Sequence, residues 1–150
     1  MDKAKFAKYF QSGGNFWLTN PNPRAQGRRA IVWDTGDCCI RALANAVSCS
    51  WLDAYDYLST RARRDFSVSN DSKGFRKWLI EGGGKWTNCP AVKGKTRMTV
   101  LDFAKAHPIG RYVVKIANHE TAIVDGTILD AWNCGDKAVV GYIDMANFKL

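Results

Sequence analysis

Apolar residues between Cys38 and Val47 recur three and four positions apart, at Cys39, Ile40, Leu43, Ala46 and Val47. At about 100° per residue these positions share one face and predict a helix that begins directly behind Asp37. Cys38 falls off that face, in the first turn near the positive end of the helix dipole, whereas Cys39 points to the core. A second helix is predicted behind a Ser50 cap, with Trp51, Tyr55, Leu58 and Ala62 inward and Asp53, Asp56, Arg61 and Arg63 toward water. A third begins near Asp71-Ser72, turns Phe75, Trp78 and Leu79 inward and stops at Gly82-Gly83-Gly84. Thr99 caps a short fourth helix holding Val100, Phe103 and Ala104, which ends at His107-Pro108, so His107 reads as a helix-end residue. Ahead of these, Phe6, Tyr9 and Phe10 have helical spacing, and the Ser12-Gly13-Gly14 and Asn20-Pro21-Asn22-Pro23 runs break regular structure. The stretch from Asn20 to Arg29 reads as a polar, basic arm.

The period changes in the carboxyl third. Tyr112–Ile116, Thr121–Val124, Thr127–Trp132 and Val139–Ile143 read as strands, and Asp125-Gly126 is a two-residue hairpin signal. Helices first and a meander afterwards predict an α+β fold. One domain over residues 1–150 is expected, with an N-terminal helix and basic arm over 1–33, a mainly helical part over 37–110 and an antiparallel sheet over 111–150.

Composition narrows the function classes. A chain of 150 residues that is 46% hydrophobic can bury a core without covalent staples. No stretch approaches the apolar length of a membrane span, and the amino end lacks the apolar region of a secretory signal, so a cytoplasmic protein without membrane contact is expected. Five cysteines, two of them adjacent and none in a C-x-x-C pair, argue for free thiols. A zinc site gathered from Cys89, Cys134, His119 and one of Cys38 or Cys39 has no module spacing, so no metal and no cofactor are expected. The triple glycine lacks the spacing and following lysine of a phosphate loop. A net charge of +8 favours an acidic partner, but the basic groups (Arg24, Arg28, Arg29; Arg61, Arg63, Arg64; Lys93, Lys95, Arg97) are not interleaved with aromatics, so nucleic acid is not favoured.

The candidate chemistry follows from three placements. Cys38 opens a helix, His119 starts one strand of the predicted hairpin, and Asp130 ends the other; they stand six and five positions from Asp125 (125 − 119; 130 − 125), so the hairpin brings them close. A carboxylate there fixes the imidazole tautomer, leaving the other ring nitrogen to take a thiol proton. Histidinium and a helix terminus lower a thiol pKa from its usual value of about 8.5. Asp37 opposes this unless its carboxylate caps backbone amides, so a capping or positioning role is assigned to it. Asn133 is the competing orienter.

These residues resemble the papain-like cysteine peptidase superfamily, in which the nucleophile starts the first core helix and the histidine and Asp/Asn follow on sheet strands. Gly36–Ala44, Asp102–Pro108 and His119–Trp132 are similar to small peptidase-like proteins encoded by bacteriophages. The resemblance implies a papain-like core, Cys38 as nucleophile, His119 as general base, Asp130 as orienter, a protein or peptide substrate, and action in the host cytoplasm. The separation of 81 residues between nucleophile and base (119 − 38) implies a trimmed core. Val32 stands where that superfamily places its oxyanion glutamine, which leaves Gln26, Asp34 or the backbone amides at Cys38 as substitutes. The expected activity is hydrolysis of a peptide, isopeptide or related amide through an acyl-enzyme. A transglutaminase-like or other acyltransferase with the same triad, and a non-catalytic binding or inhibitor protein on the same scaffold, are the alternatives.

Overall fold

The computed structural model describes residues 10–25 and 36–150; the predicted helix over residues 2–10 and the arm beyond Ala25 therefore lie almost wholly outside the described residues. The elements run β1 (Phe16–Leu18), α1 (Cys38–Val47), α2 (Trp51–Arg64), α3 (Ser72–Glu81), β2 (Lys85–Asn88), α4 (Val100–Ala106), β3 (Arg111–Ile116), β4 (His119–Val124), β5 (Thr127–Asp130) and β6 (Gly141–Asp144). The class is α+β, as the change of period predicts.

The sheet is mixed, however, and not the antiparallel sheet of residues 111–150 that the sequence suggests. Its order is β1-β5-β4-β3-β6-β2, and β1 runs parallel to β5 with Phe16 against Ile128. The two strands missed in the sequence are the two edges. β1 is three residues long with Trp17 outward, and β2, Lys85-Trp86-Thr87-Asn88, has a largely exposed pattern, so neither carries the apolar run that marks a central strand.

Both faces of the sheet are covered. On β3, Val113 enters the core shared with α1, α2 and α3, and its neighbour Val114 enters a second core with Phe103 of α4 and with Phe16. Burial on two sides explains why these strands read as continuous apolar runs instead of alternating ones. α1 lies on β4, with β3 and β5 to its sides, and is buried almost all round, Ala42 and Ala44 included, so it is a central helix rather than a half-exposed one.

Local signals hold at most helix starts. The Ser50 hydroxyl accepts from the Asp53 amide, the Asp71 carboxylate from the Lys73 amide, and Thr99 and Asp102 form a reciprocal capping box. The inner stripe of α2 keeps Leu58 and Ala62 but holds Ala54 and Tyr57 in place of Trp51 and Tyr55. Ala54, Tyr57, Leu58 and Ala62 are buried, while Tyr55 is turned outward and stacks on Trp51 at 5.1 Å. The Tyr57 hydroxyl donates to the Trp78 carbonyl at 2.7 Å, giving its polar end a buried partner that the apolar pattern does not reveal.

The β4–β5 connection is the predicted two-residue turn, with Asp125 at φ 47° and Gly126 at φ 76°, both left-handed. Among the described residues, no helix is long and apolar enough to cross a membrane.

Candidate active site

Cys38 is the first residue of α1 and is partly exposed, whereas Cys39 is 1% exposed, the difference in burial that their spacing predicts. The cap of this helix is not the one expected. The Asp37 carboxylate makes no capping bond; one oxygen pairs with the Arg41 guanidinium at 2.5 Å, and the other accepts from the Asn22 amide at 2.8 Å and the Trp51 indole at 2.9 Å. Asn70, from the loop between α2 and α3, supplies the missing acceptor: its Oδ1 takes the Cys39 backbone N–H at 2.9 Å and lies 3.7 Å from Cys38 Sγ. A neutral amide thus caps the helix beside Cys38, and the Asp37 charge is held by Arg41.

His119 and Asp130 meet. Ala122 pairs with Leu129 across the hairpin, so continuing that register puts Asp130 opposite Thr121 and makes His119 its diagonal neighbour on the same face. His119 Nε2 stands 2.7 Å from Asp130 Oδ2, and the ring is packed against Trp132 with 5.0 Å between centroids. The other Asp130 oxygen accepts the Ala131 amide at 2.7 Å and lies 3.9 Å from Arg41 Nη2. Arg41 is 2% exposed and links the Asp37 preceding Cys38 to the carboxylate that holds the imidazole.

With Nε2 engaged by Asp130, Nδ1 is the ring nitrogen left for another partner, and Cys38 lies near enough to His119 for each to shift the other's titration. Hydrogen bonding from the Cys39 thiol lowers the Cys38 pKa to about 4 against the opposing effect of burial, with His119 and the Glu120 backbone amide adding in the same direction. The Cys39 thiol is correspondingly pushed up. Burial acts against a charged His119, but hydrogen bonds to Asp130 and Cys38 outweigh it and raise its pKa to about 9. Between these values the pair is a thiolate and an imidazolium.

Glu120 follows His119 in β4 and points to the opposite face, toward α3. It is 5% exposed, and burial raises its carboxyl to about 7 although the Ser72 hydroxyl donates to it at 3.1 Å and Lys115 Nζ stands 3.6 Å away. Asn133 is directed elsewhere, its Oδ1 accepting the Gly135 amide at 2.9 Å, so Asp130 holds the position beside the imidazole. Gln26 and Asp34 lie outside the described residues. His107 caps the end of α4, donating from Nδ1 to the Phe103 carbonyl at 2.8 Å and stacking on that ring, as a helix-end residue should.

All five cysteines are free thiols. The zinc set considered from sequence is not assembled, since Cys89 faces Arg97 and Val139 in a separate hollow. Among the described residues, His119, Asp130 and Cys134 bring three donor atoms within 4.8 Å of one another. A metal held there would occupy the nitrogen and oxygen that now bond each other, so it would displace the His119–Asp130 contact.

Sequence reasoning missed Asn70, Arg41 and Glu120. Asn70 and Arg41 act through contacts 31 and 89 residues away in the chain (70 − 39; 130 − 41), and no local pattern encodes such pairings. In comparisons with known proteins, no protein family, no characterised protein and no solved structure matches this chain.

Proposed function

We propose that the protein is a cysteine-dependent hydrolase of papain-like type that cleaves a peptide, isopeptide or related amide. The observation that carries this reading is the pairing of His119 Nε2 with the Asp130 carboxylate at 2.7 Å, beside a helix-start thiol whose titration is linked to that imidazole. In the proposed reaction the Cys38 thiolate attacks the amide carbonyl, and the backbone amide of Cys38 at the helix start donates to the developing oxyanion. The His119 imidazolium gives its proton to the departing amine, which leaves a thioester on Cys38. Neutral His119 then takes a proton from water; the hydroxide adds to the thioester, and collapse releases the carboxylic acid and restores the thiolate–imidazolium pair. Asp130 keeps the imidazole in one tautomer throughout, and Arg41 fixes Asp130.

The reading is tested with the native protein and a limiting dose of iodoacetamide, followed by peptide mapping. Cys38 is expected to be alkylated ahead of Cys39, Cys49, Cys89 and Cys134, and cleavage of a fluorogenic peptide library is expected to disappear in Cys38→Ala and His119→Ala variants that remain folded. Even labelling of the five thiols, or cleavage that survives Cys38→Ala, overturns it.

A further inference from the structure

A cavity of about 140 Å³ opens on the α3 side of the candidate nucleophile, between the first turns of α3 and the sheet face formed by β3, β6 and β2. Two residues tie it to Cys38. Glu120 lines the cavity and directly follows His119 in β4, and Ser72, which also lines it and donates to the Glu120 carboxyl at 3.1 Å, stands two positions after Asn70, whose Oδ1 lies 3.7 Å from Cys38 Sγ. The walls are apolar, with buried Phe75 and Ile143 and the half-buried Trp86 ring. The charge in the lining is one-sided: Lys73, Arg76 and Lys115 against the single carboxyl of Glu120. That carboxyl is already engaged by Lys115 and Ser72, and burial raises it to about 7, so it is partly protonated near neutrality. Arg76 is held over the Trp86 ring at 4.5 Å, which keeps a cation on the cavity wall.

We propose that this cavity is the specificity pocket of the candidate active site and takes a glutamate side chain adjacent to the amide being cleaved, its methylenes against Phe75 and Trp86 and its carboxylate facing Lys73, Arg76 and Lys115. The inference rests on the cysteine hydrolase reading and adds the substrate class to it. A cationic side chain would meet three like charges for one carboxyl, and a neutral isostere would forgo the attraction. The chain's net charge of +8 acts in the same direction at longer range.

The experiment measures alkylation of Cys38 in the full chain by dipeptidyl chloromethyl ketones carrying Glu, Gln or Lys at the first or second residue before the warhead. These probes report on the pocket without requiring turnover. At one of the two positions the glutamyl probe is expected to react about tenfold faster than the lysyl probe, with the glutaminyl probe between them, and the ratio should shrink as salt is raised. In a Lys73→Glu/Arg76→Glu variant, altered only at exposed positions, the ratio of glutamyl to lysyl rates is expected to invert. Equal rates or a lysyl preference in the native protein overturns the pocket assignment, as does a ratio unchanged by salt and by charge reversal. If small, uncharged iodoacetamide also fails to select Cys38, the hydrolase reading itself falls and the pocket with it; if iodoacetamide selects Cys38 while the charged probes do not discriminate, only the pocket falls.

Discussion

At the residue scale, the proposed chemistry depends on keeping negative charge off the helix that Cys38 starts while leaving its thiol ionised. Asp37 precedes Cys38, yet its carboxylate is turned to Arg41, Asn22 and Trp51, and the neutral Asn70 takes the capping position. Asn70 can therefore be separated into two roles. Asn70→Ala removes the cap and is expected to cost about 1 kcal/mol in urea denaturation. Asn70→Asp keeps an acceptor for the Cys39 amide but puts a carboxylate where Oδ1 is now 3.7 Å from Cys38 Sγ, so it should raise the thiol pKa and slow alkylation at pH 6 while losing less stability than the alanine variant. An Asn70→Asp protein alkylated as fast as the native one at that pH would contradict the role given to the neutral amide. The sequence reveals Cys38, His119 and Asp130 because each sits beside a local signal, a helix start or a hairpin turn. Asn70 has no such marker, since what defines it is a partner distant in the chain, and the i,i+4 spacing of Arg41 from Asp37 does not reveal the Asp130 that Arg41 also reaches.

At the element scale, the hairpin is what turns two distant side chains into a pair. Its turn needs left-handed backbone at both Asp125 and Gly126, and Asp125 Oδ1 accepts the Gly110 amide at 2.9 Å, which ties the turn to the entry of β3. Gly126→Ala puts a Cβ at φ 76° and 3.2 Å from the Ala104 carbonyl oxygen, with an expected loss of about 1 to 2 kcal/mol in denaturant unfolding. An unchanged midpoint would mean that the turn tolerates a side chain and does not fix the register. Such elements are legible because their residues are dictated by backbone geometry, as are the capped starts of α2, α3 and α4. The edge strands are not legible for the opposite reason: β1 and β2 are short, half-exposed and defined by the strand beside them, β5 and β6 respectively. The exchange of Tyr55 for Tyr57 on the inner face of α2 likewise follows from a tertiary hydrogen bond to Trp78 and not from periodicity.

At the scale of the whole molecule, two cores on opposite faces of one sheet bury the charged groups that serve the site, and this burial has a pH signature. Glu120 has its folded pKa raised to about 7, above the ordinary carboxylate value, so the folded chain holds a proton that the unfolded chain has released. The favourable effect of that proton is complete below about 4.5 and is lost as pH rises through 7. Stability measured against a Glu120→Gln variant should therefore fall between those pH values, with the native protein the less stable of the two at pH 8; a difference independent of pH would contradict the buried, unfavourably charged carboxyl. The central claim concerns the thiol itself, and the rate of Cys38 alkylation by iodoacetamide as a function of pH tests it most directly. The account predicts a rate that is already near its plateau at pH 6 and falls only as pH approaches about 4, whereas a rate that climbs through pH 8 to 9 like that of an ordinary thiol would contradict it.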